Sequence, residues 1–221
     1  MLYAVISDIH ANFVALREAF RIIGGGDVDR IIVAGDIAGK GPQPFETLEL
    51  LNSKKVVAVK GNSDEKFVKS RSVKNSLTKN QKKLLQWLGG LPTVAFQEFG
   101  IMICHGSPLG TTDYIYPSVT GPALQRKFHN RTMPRVLCCG HSHIPFVGKV
   151  GDVLVVNAGS VGRPIDGDPR GSLVLLDVDG ADARGEVVRF GYNLKKLESV
   201  MIGEGYSSKQ VRAFIEGRRA V

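Results

Sequence analysis

Cysteine, tryptophan and long apolar runs are all scarce in this sequence, and each scarcity excludes something. No apolar run approaches the roughly 18 residues that a membrane-spanning helix needs, so no membrane span is expected. The three cysteines, Cys104, Cys138 and Cys139, are few and odd in number, which does not make a disulfide framework. All three stand in apolar runs and read as small buried hydrophobes. Cys138 and Cys139 are neighbours in a strand-like run, so they point to opposite faces and form a poor pair for one metal. The opening MLYAVISDIH has neither a basic leader nor a small-residue cleavage site. It reads as a first buried strand rather than a signal peptide, and a cytoplasmic protein is expected. No repeat, low-complexity tract or clear linker divides the 221 residues, which predicts a single domain over 1–221.

Positive charge is in excess. With 29 Lys and Arg against 21 Asp and Glu, the formal net charge is +8, which favours anionic partners such as nucleotides, phosphate esters or nucleic acid. The excess is concentrated between Lys54 and Lys83, where Asp64 and Glu65 are the sole acids. Most of these lysines read as a solvated helical face. Nucleic acid is the less favoured partner, because it would need aromatic side chains for base stacking and only Phe67 and Trp87 stand near this segment.

Apolar runs predict strands at Leu2–Ile6, Arg30–Ala34, Val56–Val59, Ile101–Cys104, Val136–Cys139, Phe146–Val150, Val153–Val156, Ser172–Asp177 and Gly185–Phe190. Helical spacing marks Asn12 to Ile23. Prolines open a second helix at Pro44–Leu51. Thr78 caps a third, to Leu88. A fourth is expected over Pro122–Asn130, and the basic stretch from Asn193 also reads as helical. Strands alternating with helices predict an α/β fold with parallel strands.

Polar residues cluster at the ends of the strands. ISDIH places Asp8 and His10 after the first, VAGDIAGKGP places Asp36 after the second, and VKGNSDE places Asn62 and Asp64 after the third. ICHGSP adds His105, and CGHSHIP adds His141 and His143. Loops beyond the carboxyl ends of strands are where sites form in open α/β sheets, and the glycines beside Asp36, Asn62, His105 and His141 permit close backbone approach. Asp8, His10, Asp36, Asn62, His105, His141 and His143 thus offer an oxygen and nitrogen ligand set. Such donors suit Mn, Fe, Ni or Zn. Seven are too many for one tetrahedral ion, and fit two divalent metals about 3.5–4 Å apart with a bridging carboxylate.

The order Asp-x-His, Gly-Asp, Gly-Asn-x-Asp, His-Gly, Gly-His-x-His resembles the calcineurin-like metallophosphoesterase superfamily. GDIAGKGPQPFETLELL and VVNAGSVGRPIDGDPRGSLVLLD resemble its small prokaryotic phosphodiesterase branch. The resemblance implies a four-layer α/β/β/α sandwich of two mixed sheets with flanking helices. It assigns Asp8, His10 and His143 to one metal, Asn62, His105 and His141 to the other, and Asp36 to both. It further implies catalytic roles for Asp36, Asn62, Asp64 and His105, and substrate contacts by Asn62 and Arg163. In a β-like loop, residues two apart share a side, so His141 and His143 are expected to face the metals while Ser142 faces away.

The implied reaction is hydrolysis of a phosphoester by metal-activated hydroxide. Ser63 stands where the family's monoesterases usually carry a histidine that protonates the leaving group. Serine is a poor general acid at neutral pH, so phosphodiester or pyrophosphate-type bonds are expected to be favoured over monoesters, with Asp64 either supplying part of the proton transfer through water or acting as a helix N-terminal acid. Lys40 replaces a tyrosine common in the branch and reads as a surface lysine. Arg163 either grips phosphate or pairs with Asp166. The expected partner is a small anionic phosphate ester or nucleotide, and a homodimer fits a protein of this size. Other readings are a phosphomonoesterase, a dinucleoside polyphosphate hydrolase, a nuclease, or a weakly active scaffold of the same fold, as in a retromer subunit.

Overall fold

The computed structural model describes residues 1–75, 77–129, 131–180 and 182–218. Its strands are β1 (Leu2–Ile6), β2 (Arg30–Ala34), β3 (Val57–Val59), β4 (Val94–Gln97), β5 (Ile101–Cys104), β6 (Val136–Cys139), β7 (Phe146–Val150), β8 (Val153–Asn157), β9 (Gly171–Asp179) and β10 (Asp182–Phe190). Its helices are α1 (Phe13–Gly24), α2 (Pro44–Ser53), α3 (Asn62–Lys69), α4 (Arg71–Lys74), α5 (Lys79–Gly90), α6 (Gly121–Phe128), α7 (Leu194–Gly203) and α8 (Ser208–Ile215).

Two mixed five-stranded sheets result, in the orders β10-β9-β1-β2-β3 and β4-β5-β6-β8-β7. β1, β2 and β3 run parallel in the first, and β5, β6 and β8 run parallel in the second. The pleat sends alternate residues to opposite faces. Ile101, Ile103, Val136 and Cys138 therefore enter the apolar layer between the sheets with Tyr3, Val5 and Ile32. Met102, Cys104, Leu137 and Cys139 turn outward to α6, meeting Leu124 and Phe128. Cys138 and Cys139 do point to opposite faces, and all three cysteines are free and buried. On the far side of the first sheet, Leu16 and Ala19 of α1, Leu48 and Leu51 of α2, and Leu84 and Leu88 of α5 form the third apolar layer. The four-layer α/β/β/α sandwich expected from the resemblance is the observed architecture.

Thr78 caps α5 as expected, its hydroxyl accepting from the Gln81 amide at 3.2 Å. α6 starts at Gly121, and Asn130, the expected end of that helix, lies outside the described residues. Three elements go beyond the sequence expectation: β4, α3 and the four-residue α4. β4 is a short, half-buried edge strand just after Pro92, too weakly apolar to stand out. α3 is strongly polar and forms because Asp64 reaches back to cap its first turn, accepting from the Gly61 amide at 2.8 Å. Among the described residues no helix is long and apolar enough to cross a membrane.

Candidate metal centre

The loops that follow β1, β2, β3, β5 and β6 converge at one end of both sheets. Backbone bonds lock them together. The Asp8 amide donates to Gly35 O at 3.0 Å, the His10 amide to Asp36 O at 2.9 Å, and the Gly140 amide to His105 O at 2.9 Å. Close approach needs glycine at two of these crossings. A Cβ on Gly61 would sit 2.2 Å from Asp36 Oδ1, and one on Gly35, at φ +84°, would sit 2.8 Å from the His105 ring.

All seven expected ligands are brought together. Asp8, His10 and His143 form one group and Asp36, His105 and His141 another, each with ligand atoms within 4.8 Å of one another. In the first, Asp8 Oδ1 lies 3.1 Å from His143 Nε2, and His10 Nε2 lies 3.3 Å from His143 Nε2. In the second, His105 Nε2 lies 3.2 Å from both Asn62 Oδ1 and His141 Nδ1. Asp36 spans the two: its Oδ2 is 3.6 Å from His10 Nε2 and its Oδ1 is 3.3 Å from His105 Nε2.

The residues present fit divalent cations. His105 Nδ1 donates to Ala34 O at 2.8 Å, and His143 Nδ1 donates to Arg163 O at 2.5 Å. In the neutral tautomers both Nε2 atoms then turn lone pairs inward, towards carboxylate and amide oxygens that are also acceptors. Asp8 Oδ1 is buried without a hydrogen-bond partner among the described residues. Facing lone pairs at these distances call for a cation between them, and imidazole with carboxylate is a donor set for one.

The backbone is strained where the ligands sit. Asp8, His10, Asp36, His141 and His143 all hold φ between 49° and 62°, which costs a non-glycine residue energy and clusters at functional sites. This corrects one sequence argument. His141 and His143 do face the two groups while Ser142 turns away, but the loop is not β-like. Both histidines are left-handed, and Ser142 Oγ is held by Asn157 Nδ2 at 3.0 Å.

Burial raises the pKa of Asp36, but the His105 and His10 rings and the Ser63 hydroxyl overrule it and hold the carboxylate well below its ordinary range. Asp8 is likewise lowered against its burial, by His143 and His105. His10 is pushed well down by burial. His105 is pushed down by burial too, yet Asp36, Asp8 and the Ala34 carbonyl raise it to about 9.

Residues 1–181 match the calcineurin-like phosphoesterase superfamily domain. The chain belongs to that superfamily. It is similar to a probable metallophosphoesterase of Methanothermobacter thermautotrophicus, 28% identical over 198 residues that cover 86% of this chain and 94% of the relative. It is similar also to the phosphodiesterase YfcE of Escherichia coli K12, 26% identical over 185 residues covering 78% and 85%. Among solved structures, a metallophosphoesterase from Sphaerobacter thermophilus superposes with a TM-score of 0.81 at 26% identity, over 98% of this chain and 99% of the other. The family is metal-dependent, and the two groups are candidate metal-binding residues of this chain.

The remaining site residues divide. Asn62 heads α3 and faces His105. Asp64 is fully buried; its Oδ1 accepts from the Ala38 amide and its Oδ2 from the Gly61 amide, both at 2.8 Å. Burial and Asp36 raise its pKa to about 7, with the Gly61, Ala38 and Ile37 amides opposing. Arg163 stands on the Phe214 ring, its guanidinium carbon 5.8 Å from the centroid, while Asp166 pairs with Arg189. Lys40 is exposed at φ +67°. Crowding of its ammonium, with Arg163 and Lys66 adding, lowers its pKa, although Asp36 and Asp8 oppose this.

Sequence reasoning missed the residues that support this centre. Ser63 donates both its amide to Asp36 Oδ1 at 2.8 Å and its hydroxyl to Asp36 Oδ2 at 2.7 Å. Ser7 Oγ donates to Asp8 Oδ2 at 2.8 Å, and Ser160 Oγ to Asp8 O at 2.7 Å. Serine is too common a residue for this to show in one sequence. The two aromatics considered for stacking, Phe67 and Trp87, pack against the first-sheet core. Tyr114 and Tyr116 went unnoticed and lie at the site.

Proposed function

We propose that this phosphoesterase hydrolyses phosphodiester or pyrophosphate-type bonds of small anionic substrates, nucleotides above all. Two divalent cations (Mn, Fe, Ni or Zn) bind, one at Asp8, His10 and His143 and one at Asn62, His105 and His141, with Asp36 shared. The observation that carries this reading is Asp36, whose two oxygens face the two groups. Cations held by these residues would supply Lewis-acid chemistry there, activating water for attack and offsetting the charge that grows on phosphorus.

The chain's own residues orient and bind. Ser63 fixes both oxygens of Asp36. Asp64 staples the Asp36 loop to the start of α3, which makes it a positioning residue, with its carboxylate spent on backbone amides. Asn62 and Arg163 contact the substrate phosphates, the arginine through its planar fork, and Lys40 adds positive charge at the rim. The preference for diesters rests on Ser63: its hydroxyl is committed to Asp36, so no side chain at this position protonates a poor leaving group. The buried free thiols suit a reducing compartment, and the cytoplasm is the proposed location. Residues 1–221 act as one domain.

The test is to strip the protein with chelator, restore Mn²⁺, and compare a nitrophenyl phosphodiester with the matching monoester, with Asp36→Asn as the control. Faster, metal-dependent turnover of the diester that disappears in Asp36→Asn is expected. Silence towards both esters under Mn²⁺, Ni²⁺ and Fe²⁺ overturns the proposal in favour of a binding scaffold.

A further inference from the structure

We infer that Tyr114 and Tyr116 form a preformed shelf, beside the metal centre, on which the planar base of a nucleotide substrate stacks. The inference rests on reading the centre as a phosphoester site and names the substrate class that this site takes.

The segment Asp113-Tyr114-Ile115-Tyr116 leaves the loop after β5, a few residues beyond His105. Its alternation is that of an extended chain. Ile115 is fully buried, while Tyr114 and Tyr116 are 37% and 39% exposed. Two large aromatics turned to solvent from one short segment are unusual for a surface with nothing to bind. The rings are ordered with respect to each other and to the centre. Tyr114 and Tyr116 stack with centroids 5.3 Å apart and planes within 6°. Tyr114 in turn lies on the ring of His141, 4.3 Å between centroids. A run of packed rings thus leads from His141, whose plane is tilted 30° to Tyr114, through the stacked tyrosine pair to the solvent.

The shelf is held from below. Asp113 Oδ2 accepts from Lys127 Nζ at 2.6 Å and from Ser107 Oγ at 2.5 Å. A Cβ on Gly106 would meet the Asp113 carbonyl at 2.4 Å, so the segment is seated tightly on the residue next to His105. Ile115 belongs to the apolar layer under α6, and the Val119 amide donates to Tyr116 O at 3.0 Å. Little ordering entropy remains to be lost when a ring is added to such a stack.

The ligand chemistry follows from the neighbours. The centre and the cations of Lys40 and Arg163 take phosphate. The shelf takes a flat π-face, and does so with tolerance for which base it is. A nucleotide carries both parts; a sugar phosphate or pyrophosphate carries only one.

The Mn²⁺-loaded protein is titrated calorimetrically with adenosine monophosphate and with ribose phosphate. The base-bearing ligand is expected to bind tighter by about fivefold or more, the lower end of one base–aromatic stack. Tyr116→Ala, at an exposed residue one ring removed from His141, collapses that ratio towards one, and Tyr116→Phe keeps it. A wild-type ratio near one, or a ratio that survives Tyr116→Ala, overturns the shelf. NMR of ring-labelled tyrosines gives a readout independent of turnover. Adenosine monophosphate is expected to shift the Tyr114 and Tyr116 ring signals and ribose phosphate to leave them in place; unmoved signals in the presence of the nucleotide also overturn it. Failure of the hydrolase reading looks different, with the ring signals moving while neither nitrophenyl ester is cleaved.

Discussion

His10 and His105 are both fully buried, and both reach towards Asp36. Burial lowers the proton affinity of each, yet His10 ends well below the ordinary histidine value and His105 at about 9. The carboxylates separate them first: Asp36 and Asp8 raise His105, whose Nε2 lies 3.3 Å from Asp36 Oδ1, while Lys40 and His143 add to the burial that holds His10 down. His105 has its tautomer fixed by the Ala34 carbonyl, whereas His10 Nδ1 has no partner among the described residues. The two halves of the centre also differ in access. Asp8, His10 and His143 are all buried, while Asn62 and His141 are only partly covered. The His10 half is closed, and the His105 half opens towards Tyr114. Equal burial therefore does not make equal ligands; the outer hydrogen bonds and the way out to solvent distinguish them.

The substitution that should break this contrast most completely is Asp36→Asn, since Asp36 serves both halves. Both steps of Mn²⁺ binding should weaken, and hydrolysis should fall by more than the roughly hundredfold that loss of an outer partner costs. A titration in which one step stays intact would show that Asp36 is not shared. Gly35→Ala sharpens the contrast, because its methyl would press on the His105 ring alone. Overpacking of this kind costs about 1–3 kcal/mol, and each kcal/mol lowers the melting temperature of a domain this size by about 2–4 °C. A thermal melt equal to wild type would mean that the loop relaxes freely.

Ser63→Ala keeps the backbone bond to Asp36 Oδ1 and removes the one to Oδ2, the oxygen facing His10. Metal affinity is expected to drop about 10- to 100-fold, measured by calorimetry, with more of the loss in the step assigned to the closed half. The smallest effect belongs to the rim. Lys127→Met removes one of the bonds that seat Asp113, at a cost under about 1 kcal/mol for a partly exposed pair, and should change the Tyr114 and Tyr116 ring signals without altering Mn²⁺ binding. Asp113 is held below its usual pKa, burial opposing and Lys127 and Ser107 prevailing. Its anchor is therefore complete at neutral pH, and weakens as the pH falls through that lowered value.

The fold was legible wherever local pattern carries it. The runs at β1, β2, β5 and β6 are apolar enough that their strands begin and end where the sequence says. β4 was not legible, because a half-buried edge strand has a weak pattern. Nor was α3, whose start depends on the Asp64 side chain meeting the Gly61 amide rather than on apolar spacing. Every expected ligand lies in one of the two groups or against them. Their partners Ser7, Ser63 and Ser160 were hidden, since a serine that holds a carboxylate looks in sequence like any other. Asp64 was legible as a helix N-terminal acid, while its hold on the Ala38 amide was not.

By itself, then, the sequence determined the candidate donors: carboxylates, an amide and imidazoles, each placed at the end of an apolar strand, with glycine beside Asp36, Asn62, His105 and His141. Donor chemistry and strand periodicity are properties of residues and their near neighbours, and survive without knowledge of the fold. The tertiary structure decided the left-handed backbone that aims five of the ligands, the serine that turns Asp36 to both halves, and the tyrosines laid on His141. Those depend on which loops meet when two sheets pack face to face, and on contacts such as that between Asp8 and His141, 133 positions apart in the chain, which no local pattern encodes.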